Sequence, residues 1–495
     1  MDALLIPDFD YLAAVPIALP AIFALLVLIW DLVMGSREEN ELYYLTFSGL
    51  AITGLTLLLM YDRDVPPLGR FLCIDRFAIV AGLICILAGV LTLLIAAEYL
   101  KREGLAVAEF LALLLLSTSG MLVLASATEL VTLFVGLELM ALPVYLLTAY
   151  HFKRYLSTEA GMKYFLLGIM STAFLLMSLS LMYGMTGSTD VSVIIHEIER
   201  TGLISSPALA LAAVLFLVAF SFKVSVFPFH IWTPDAYQGA PSPVTAFMSV
   251  APKTAALAAM IRILVTVLPG ISDLWILLLS IMAACTMVFG NVVAVVQDNL
   301  KRLLAYSTIA HAGYLMIGLV AYSTTPDLDG LPDGISAILF YMFAYAFANI
   351  GAFAVIILMG REGQTGSKIE DYDGLGTRHP FAAAAMTLFM LSLTGIPITA
   401  GFVGKVYLFG AAIKAGPPLL WLAVVGILTS VISLFYYMKI VLRMYASEPR
   451  ETTPLIAGGA LLTAIAVCAG GVILLGIFPN IILNMARESV RLLML

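Results

Sequence analysis

The chain has 495 residues, 62% of them hydrophobic and only 12% charged, with a net charge of −7. A soluble domain carries about 25% charged and about 45–50% apolar residues, and here the apolar excess runs along the whole length, which excludes a soluble domain on a single anchor. A mean hydropathy of +1.05, with no basic stretch, points to a polytopic membrane protein and away from nucleic acid.

Cys73, Cys85, Cys285 and Cys468 stand singly, without CxxC or Cys/His spacing, so neither a metal site nor a disulfide framework is expected. Met1–Asp10 is acidic and lacks the positive leader of a signal peptide, so residues 11–34 read as a retained first span. A spanning helix needs about 20 apolar residues. That ruler gives fourteen spans, near 11–34, 42–61, 77–100, 106–126, 129–150, 160–185, 207–229, 241–267, 273–296, 303–322, 335–359, 381–414, 419–445 and 455–478. The seventh ends in a proline-cut re-entrant piece, Ile231–Gln238. The twelfth is too long for one straight span and holds the breaker LTGIPITAGFVGK (Leu393–Lys405), so it reads as two half-helices. The tail from Ile481, with Arg487, Glu488 and Arg491, reads as an interfacial segment.

Two broken spans in corresponding places mark an internal repeat of the transporter kind. The expected fold is an all-α polytopic membrane protein of about 14 transmembrane helices, with two inverted five-helix repeats formed by spans 4–8 and 9–13. The chain is one membrane domain, 1–495. Three N-terminal spans occupy 1–104, the repeats 105–268 and 269–446, and a last span with its tail 447–495. Lysine and arginine in loops set orientation. Twelve follow odd-numbered spans, among them Arg37, Lys101, Lys153, Lys301 and Arg450; eight lie on the other side, among them Arg63, Arg76, Arg262 and Arg487. This leaning places both termini outside the cytoplasm.

A charge at membrane depth costs several kcal/mol, roughly 2.5–3.5 on insertion scales, so those present mark partners or water. Glu138, in LFVGLELMALPVYLL, reads either as a protonated carboxyl at a helix contact or as a carboxylate paired across spans. Lys163 is its candidate partner, or else snorkels to the interface. Lys223 lies deep in span 7, Lys253 follows Pro252 in the middle of span 8, and Lys405 adjoins the second break. A lysine set between burial and a carboxylate can change protonation as its partner moves, and this makes a proton relay. His230 suits a relay link or a cap on the broken helix, and His311 sits among small and hydroxyl residues that leave room for water. Asp235 reads as a cap for the helix after the break. Glu129, Glu159, Lys301, Arg302, Lys439 and Arg443 read as span-end charges reaching the interface.

The stretch FKVSVFPFHIWTPDAYQGAPSPVTAFMSVAPK (Phe222–Lys253) resembles the signature of the antiporter-like membrane subunits of respiratory complex I, the proton-pumping NADH:quinone oxidoreductase. So do LFVGLELMALPVYLL, STEAGMKYFLLG, FGNVVAVVQDNLKRLLAYSTIAHAGYLMIG and MLSLTGIPITAGFVGKVYLF, in the expected order between Glu129 and Phe409. The resemblance implies a proton relay in which Glu138 biases a lysine, Lys223, Lys253 and Lys405 carry protons, Lys163 links units, and His230 and His311 lie on the polar axis. It implies a hetero-oligomer with other complex I membrane subunits in the bacterial inner membrane. NAD, FMN, iron–sulfur clusters and quinone would belong to partner subunits, for this chain has no Rossmann glycine motif and no cluster cysteines. A multisubunit Na⁺/H⁺ antiporter shares the lysine pattern and is the alternative.

Overall fold

The computed structural model describes residues 11–35, 39–63, 65–324, 333–361, 366–449 and 458–491. Arg37 and Arg450, read as orientation signals, lie outside them. Hydrocarbon offers backbone groups no hydrogen bonds, so a spanning chain must satisfy them within helices. Nineteen α-helices occupy the described residues: α1 (Val15–Met34), α2 (Glu39–Met60), α3 (Arg76–Glu103), α4 (Ala108–Ser126), α5 (Leu130–Thr148), α6 (Tyr155–Thr186), α7 (Val191–Thr201), α8 (Pro207–Val224), α9 (Trp232–Gly239) and α10 (Ser242–Thr266). The second half comprises α11 (Ser272–Val295), α12 (Leu300–Thr324), α13 (Gly334–Met359), α14 (Leu375–Arg378), α15 (Pro380–Thr394), α16 (Ala400–Lys414), α17 (Pro417–Ala446), α18 (Gly459–Ile477) and α19 (Asn480–Arg491).

Thirteen helices among the described residues are long and apolar enough to cross a membrane. The expected twelfth span supplies the remaining crossing as two pieces of 15 residues each, α15 and α16. The short α9 is the re-entrant piece, and α7 is an amphipathic helix between the sixth and seventh crossings that the hydropathy ruler passed over. The apolar face of α19 packs on α13 and α3.

The centre is made by α10, α12 and α13, which are buried almost throughout, while α1, α6, α11 and α17 present apolar side chains outward. Two helix pairs pack with backbones in near contact. A Cβ on Gly120 of α4 would lie 2.2 Å from the Met140 nitrogen of α5, and one on Gly136 2.7 Å from the Leu124 nitrogen. The same device joins α11 to α12, where a Cβ on Gly290 would lie 2.7 Å from the Ala310 nitrogen. Small residues let membrane helices approach, and here each five-helix unit of the expected repeat begins with such a pair.

Both breaks use an uncommon backbone conformation. Among the described residues, Ser225 (φ 71°) and Ile398 (φ 76°) are the non-glycine residues with positive φ, one in each break. Such a residue costs roughly 1–3 kcal/mol and persists only where its surroundings over-determine it. The Ser225 hydroxyl accepts a hydrogen bond from the Thr233 hydroxyl (2.8 Å), which ties α9 to the end of α8.

Arg262 was counted with the loop charges, yet it is buried within α10. Its guanidinium grips the Asp75 carboxylate at 2.8 and 2.9 Å and donates to the Ala125 carbonyl. Asp75 also caps α3 by accepting from the Ala78 amide (2.7 Å). One ion pair therefore joins the ends of α3, α4 and α10. At the other end of α3, Arg102 donates to the Ile357 and Gly360 carbonyls (both 2.8 Å), closing the C-terminus of α13. Removing one partner of a buried pair strands the other charge. Asp75→Asn should therefore lower stability by about 3–5 kcal/mol, and the double change Asp75→Asn with Arg262→Met should recover most of the loss. Thermal denaturation in detergent, compared for the two variants, checks this.

Candidate functional site

The first break places Lys223 in the last turn of α8, 4% exposed, where a cation faces the negative end of the helix dipole. Its ammonium donates to the Tyr145 hydroxyl of α5 at 2.9 Å. An aromatic stack holds that hydroxyl: the Tyr145 ring meets Tyr164 edge-on at 4.6 Å, and Tyr164 stacks on Trp232 at 4.1 Å. The Trp232 indole donates to the Phe222 carbonyl (2.9 Å), so the stack is itself tied to the end of α8. Glu138 lies two turns before Tyr145 on α5 and accepts from the Thr172 hydroxyl at 2.6 Å. It makes no ion pair with Lys223, whose ammonium is held by Tyr145. Glu138 borders an outward stripe of α5 that includes Val135 and Leu142.

At the centre, Lys253 is 3% exposed and its ammonium has no hydrogen-bond partner among the described residues. It lies 6.0 Å from the centre of the Tyr237 ring, whose hydroxyl is also unpartnered. Helical side chains lean toward the N-terminus, so Lys253 points back along α10 toward α9. His311 of α12 contacts the Tyr341 hydroxyl through Nδ1 and the Tyr437 hydroxyl (3.2 Å) through Nε2. A neutral imidazole has one donor and one acceptor nitrogen, so it can relay between two phenols. Tyr437 continues to Ser307, and Thr308 to Tyr345 at 2.7 Å.

The second break ends at Lys405. Although this residue belongs to α16, its ammonium reaches back to the last carbonyls of α15, Leu393 (2.9 Å) and Thr394 (2.8 Å), and to the Ser430 hydroxyl (2.8 Å). It sits 5.0 Å from the centre of the Tyr314 ring. Tyr314 accepts from the Asn291 amide (3.1 Å), and Asn291 accepts from Tyr436 (3.0 Å). His230 packs between the Phe227 and Phe289 rings, and its Nδ1 has no partner among the described residues.

The buried lysines thus share one chemistry: each is nearly inaccessible and none has a carboxylate within ion-pair distance among the described residues. Among those residues no group of three or more His, Cys, Asp or Glu could hold a metal ion.

A profile of the family described as NADH:quinone oxidoreductase/Mrp antiporter, TM, matches residues 127–433. A protein of Trichlorobacter lovleyi named NADH-quinone oxidoreductase subunit N is 41% identical over 97% of this chain and 96% of its own length. The chain belongs to that subunit N family of NADH-quinone oxidoreductase. Another member, NADH-quinone oxidoreductase subunit N 1 of Herpetosiphon aurantiacus, is 43% identical over 95% of this chain and 94% of its own length. A chain in the solved structure of respiratory complex I from Thermus thermophilus with bound aureothin superposes with a TM-score of 0.79 at 32% identity, over 95% of this chain and 98% of that one. As a subunit N family member, this is a multi-pass membrane protein of a multisubunit enzyme complex.

Several sequence expectations need correction. Lys163 does not pair with Glu138. It is 45% exposed and bonds Asp235 (2.7 Å) and Glu159 (2.8 Å) instead. Asp235 caps no helix; besides Lys163 it accepts from Arg302 at 2.8 Å, bridging α6, α9 and α12. Burial raises the Asp235 carboxyl, but hydrogen bonds from Lys163 and Arg302 outweigh this and hold it below the usual range. Glu129 is buried and caps α5 through the Thr132 amide (2.6 Å). Lys301 is 2% exposed, not interfacial, and donates to the Ala240 carbonyl at 2.5 Å. Sequence reasoning also missed the buried phenols. A usable signal was present in the i, i+4 spacing of Tyr341 and Tyr345 on one face of an apolar span.

Exposed ion pairs contribute little. Lys163→Ala should lower stability by no more than about 1 kcal/mol, a small shift in the thermal midpoint beside the large one expected for Asp75→Asn.

Proposed function

We propose that this chain moves protons across the membrane within NADH:quinone oxidoreductase, driven by NADH oxidation and quinone reduction in other subunits. The observation that carries this reading is the set of buried lysines without carboxylate partners among the described residues, Lys223 and Lys405 at the two helix breaks and Lys253 within α10, with tyrosines and His311 in the same interior. A permanently paired ammonium cannot release its proton, and an isolated one in hydrocarbon would not persist. Hydroxyl and carbonyl partners lie between these limits, supporting the charged form without fixing it.

In this reading Glu138 biases Lys223 through space, and Tyr145 is the first hydroxyl between them. Lys253 and His311 carry the proton through the middle of the bundle, Lys405 passes it to the opposite side, and His230 is a side link. Lys163, exposed and ion-paired, serves as the link toward a neighbouring subunit. The two units of five crossings each, within α4–α10 and α11–α17, act as inverted halves, each with a lysine at its break. NAD, FMN, iron–sulfur clusters and quinone are held by partner subunits, and this chain does no electron transfer. The partners are the other complex I membrane subunits in the bacterial inner membrane. Both termini face away from the cytoplasm, which puts the ends bearing Lys153 and Lys301 on the cytoplasmic side.

Lys223→Ala, Lys253→Ala and Glu138→Ala should each lower protons pumped per electron in the assembled complex while leaving NADH oxidation by artificial acceptors intact. Unchanged pumping in all three would sink the relay. Lys439→Ala should be mild, because Lys439 pairs with the exposed Asp298 at a helix end. Purification of the tagged chain in mild detergent should bring NADH oxidation with it; small membrane partners and sodium-dependent proton exchange in its place would move the chain to the antiporter class.

A further inference from the structure

Lys301 is a buried lysine that the relay above leaves unused. It stands in the first turn of α12, and its ammonium has one partner, the Ala240 carbonyl between α9 and α10. No carboxylate lies within ion-pair distance of it among the described residues. Nothing around it fixes its charge, the condition for a group that must gain and lose a proton.

Its neighbour in sequence, Arg302, lines a cavity of about 220 Å³ at the junction of α6, α9 and α12, which Lys301 itself does not line. Glu159, Lys163, Asp235, Gln238, Gly239 and Arg302 line it, and their charged side chains are between 28% and 45% exposed, so the cavity opens at the surface of this chain. The walls are held together by ion pairs and amides. Lys163 bonds Glu159 and Asp235, while Arg302 bonds Asp235 (2.8 Å) and Gln238 (2.9 Å). Gly239 completes the wall by close approach, for a Cβ there would lie 2.2 Å from the Leu156 carbonyl. The residue after it is Ala240, whose carbonyl holds Lys301. One side of α9 thus faces the cavity and the other faces the interior, where Tyr237 stands beside Lys253.

We propose that Lys301 is a further proton-carrying residue, supplied from this vestibule, with the Lys163–Asp235–Arg302 pairs as the wall that separates the two. Lys301, Thr308 and His311 follow at seven- and three-residue intervals on α12, so one face of that helix runs from the vestibule to the central imidazole. The Lys301 ammonium gives one proton to the neutral His311 imidazole along that face. The neutral amine then takes one from hydronium in the vestibule when the ion pairs part, so one proton has moved from the vestibule to the imidazole with no net change at Lys301. This inference rests on the proton-carrying reading of the chain.

The test uses the assembled complex in vesicles, with protons pumped per NADH as the readout and Lys253→Ala as reference. Lys301→Arg keeps the charge and a donor for the Ala240 carbonyl but cannot release a proton at physiological pH. It should lose the same share of pumping as Lys253→Ala. Wild-type pumping in Lys301→Arg would make Lys301 an anchor for the start of α10 and overturn the proposal. A second variant leaves the lysine alone, so that a failure of Lys301→Arg to assemble does not decide the test. Leu156→Cys, at the rim of the cavity, should pump normally until a bulky membrane-impermeant maleimide labels it from the side bearing Lys301. Pumping should then fall to the Lys253→Ala level, with identically treated wild type as the baseline. Full labelling by mass spectrometry without loss of pumping would also overturn it. If Lys223→Ala, Lys253→Ala and Glu138→Ala all pump normally, the relay reading and this proposal fail together. A defect in Lys253→Ala alone removes the vestibule and leaves the relay.

Discussion

The arrangement depends on an ammonium held at the C-terminal end of a broken helix inside the membrane. A helix that stops in hydrocarbon leaves carbonyls without partners, and each costs several kcal/mol unless something donates to it. Lys405 meets that need at the end of α15 by direct hydrogen bonds. Lys223 sits in the final turn of α8, where the field of the same carbonyls favours its charge. The break needs a cation, and the cation needs the break. Because carbonyl oxygens are weaker partners than carboxylates, the charge is supported without being locked.

The rest of the fold keeps these two ends in place. Strained residues at Ser225 and Ile398 turn the chain at each break. Glycine contacts between α4 and α5, and between α11 and α12, make the flanking helices into rigid pairs. The Asp75–Arg262 grip fixes the far end of α10, so the unpartnered Lys253 is positioned by its backbone rather than by its own bonds. Phenols fill the spaces between. A buried tyrosine hydroxyl donates and accepts without bearing charge, so Tyr145 can partner Lys223, and Tyr341 and Tyr437 can partner His311, at little desolvation cost.

The crossings were legible in the sequence because hydropathy and proline report directly on what a bilayer tolerates. The breaks at Pro228 and in LTGIPITAGFVG, and the burial of Lys223, Lys253 and Lys405, followed from the same rule. Partner choice was not legible. Lys163 and Asp235 are 72 positions apart and meet only because α9 folds back against α6; no local pattern distinguishes that meeting from Lys163 with Glu138. Lys301 and Arg302 are adjacent and look alike at a helix start, yet successive residues on a helix point about 100° apart. One therefore turns into the bundle while the other turns to the vestibule.

That divergence bears on how a membrane protein places charge. Arg302 is spent on structure, with two acceptors and partial contact with water. Lys301, one position earlier, keeps a single acceptor and almost no water. The residue types match the tasks, since a guanidinium holds its proton in any setting and an ammonium does not. The same division separates Arg262, gripped by Asp75, from Lys253 nine residues before it on α10. In both helices the arginine fixes the frame, and the lysine beside or along it is the group that changes charge in the proposed relay.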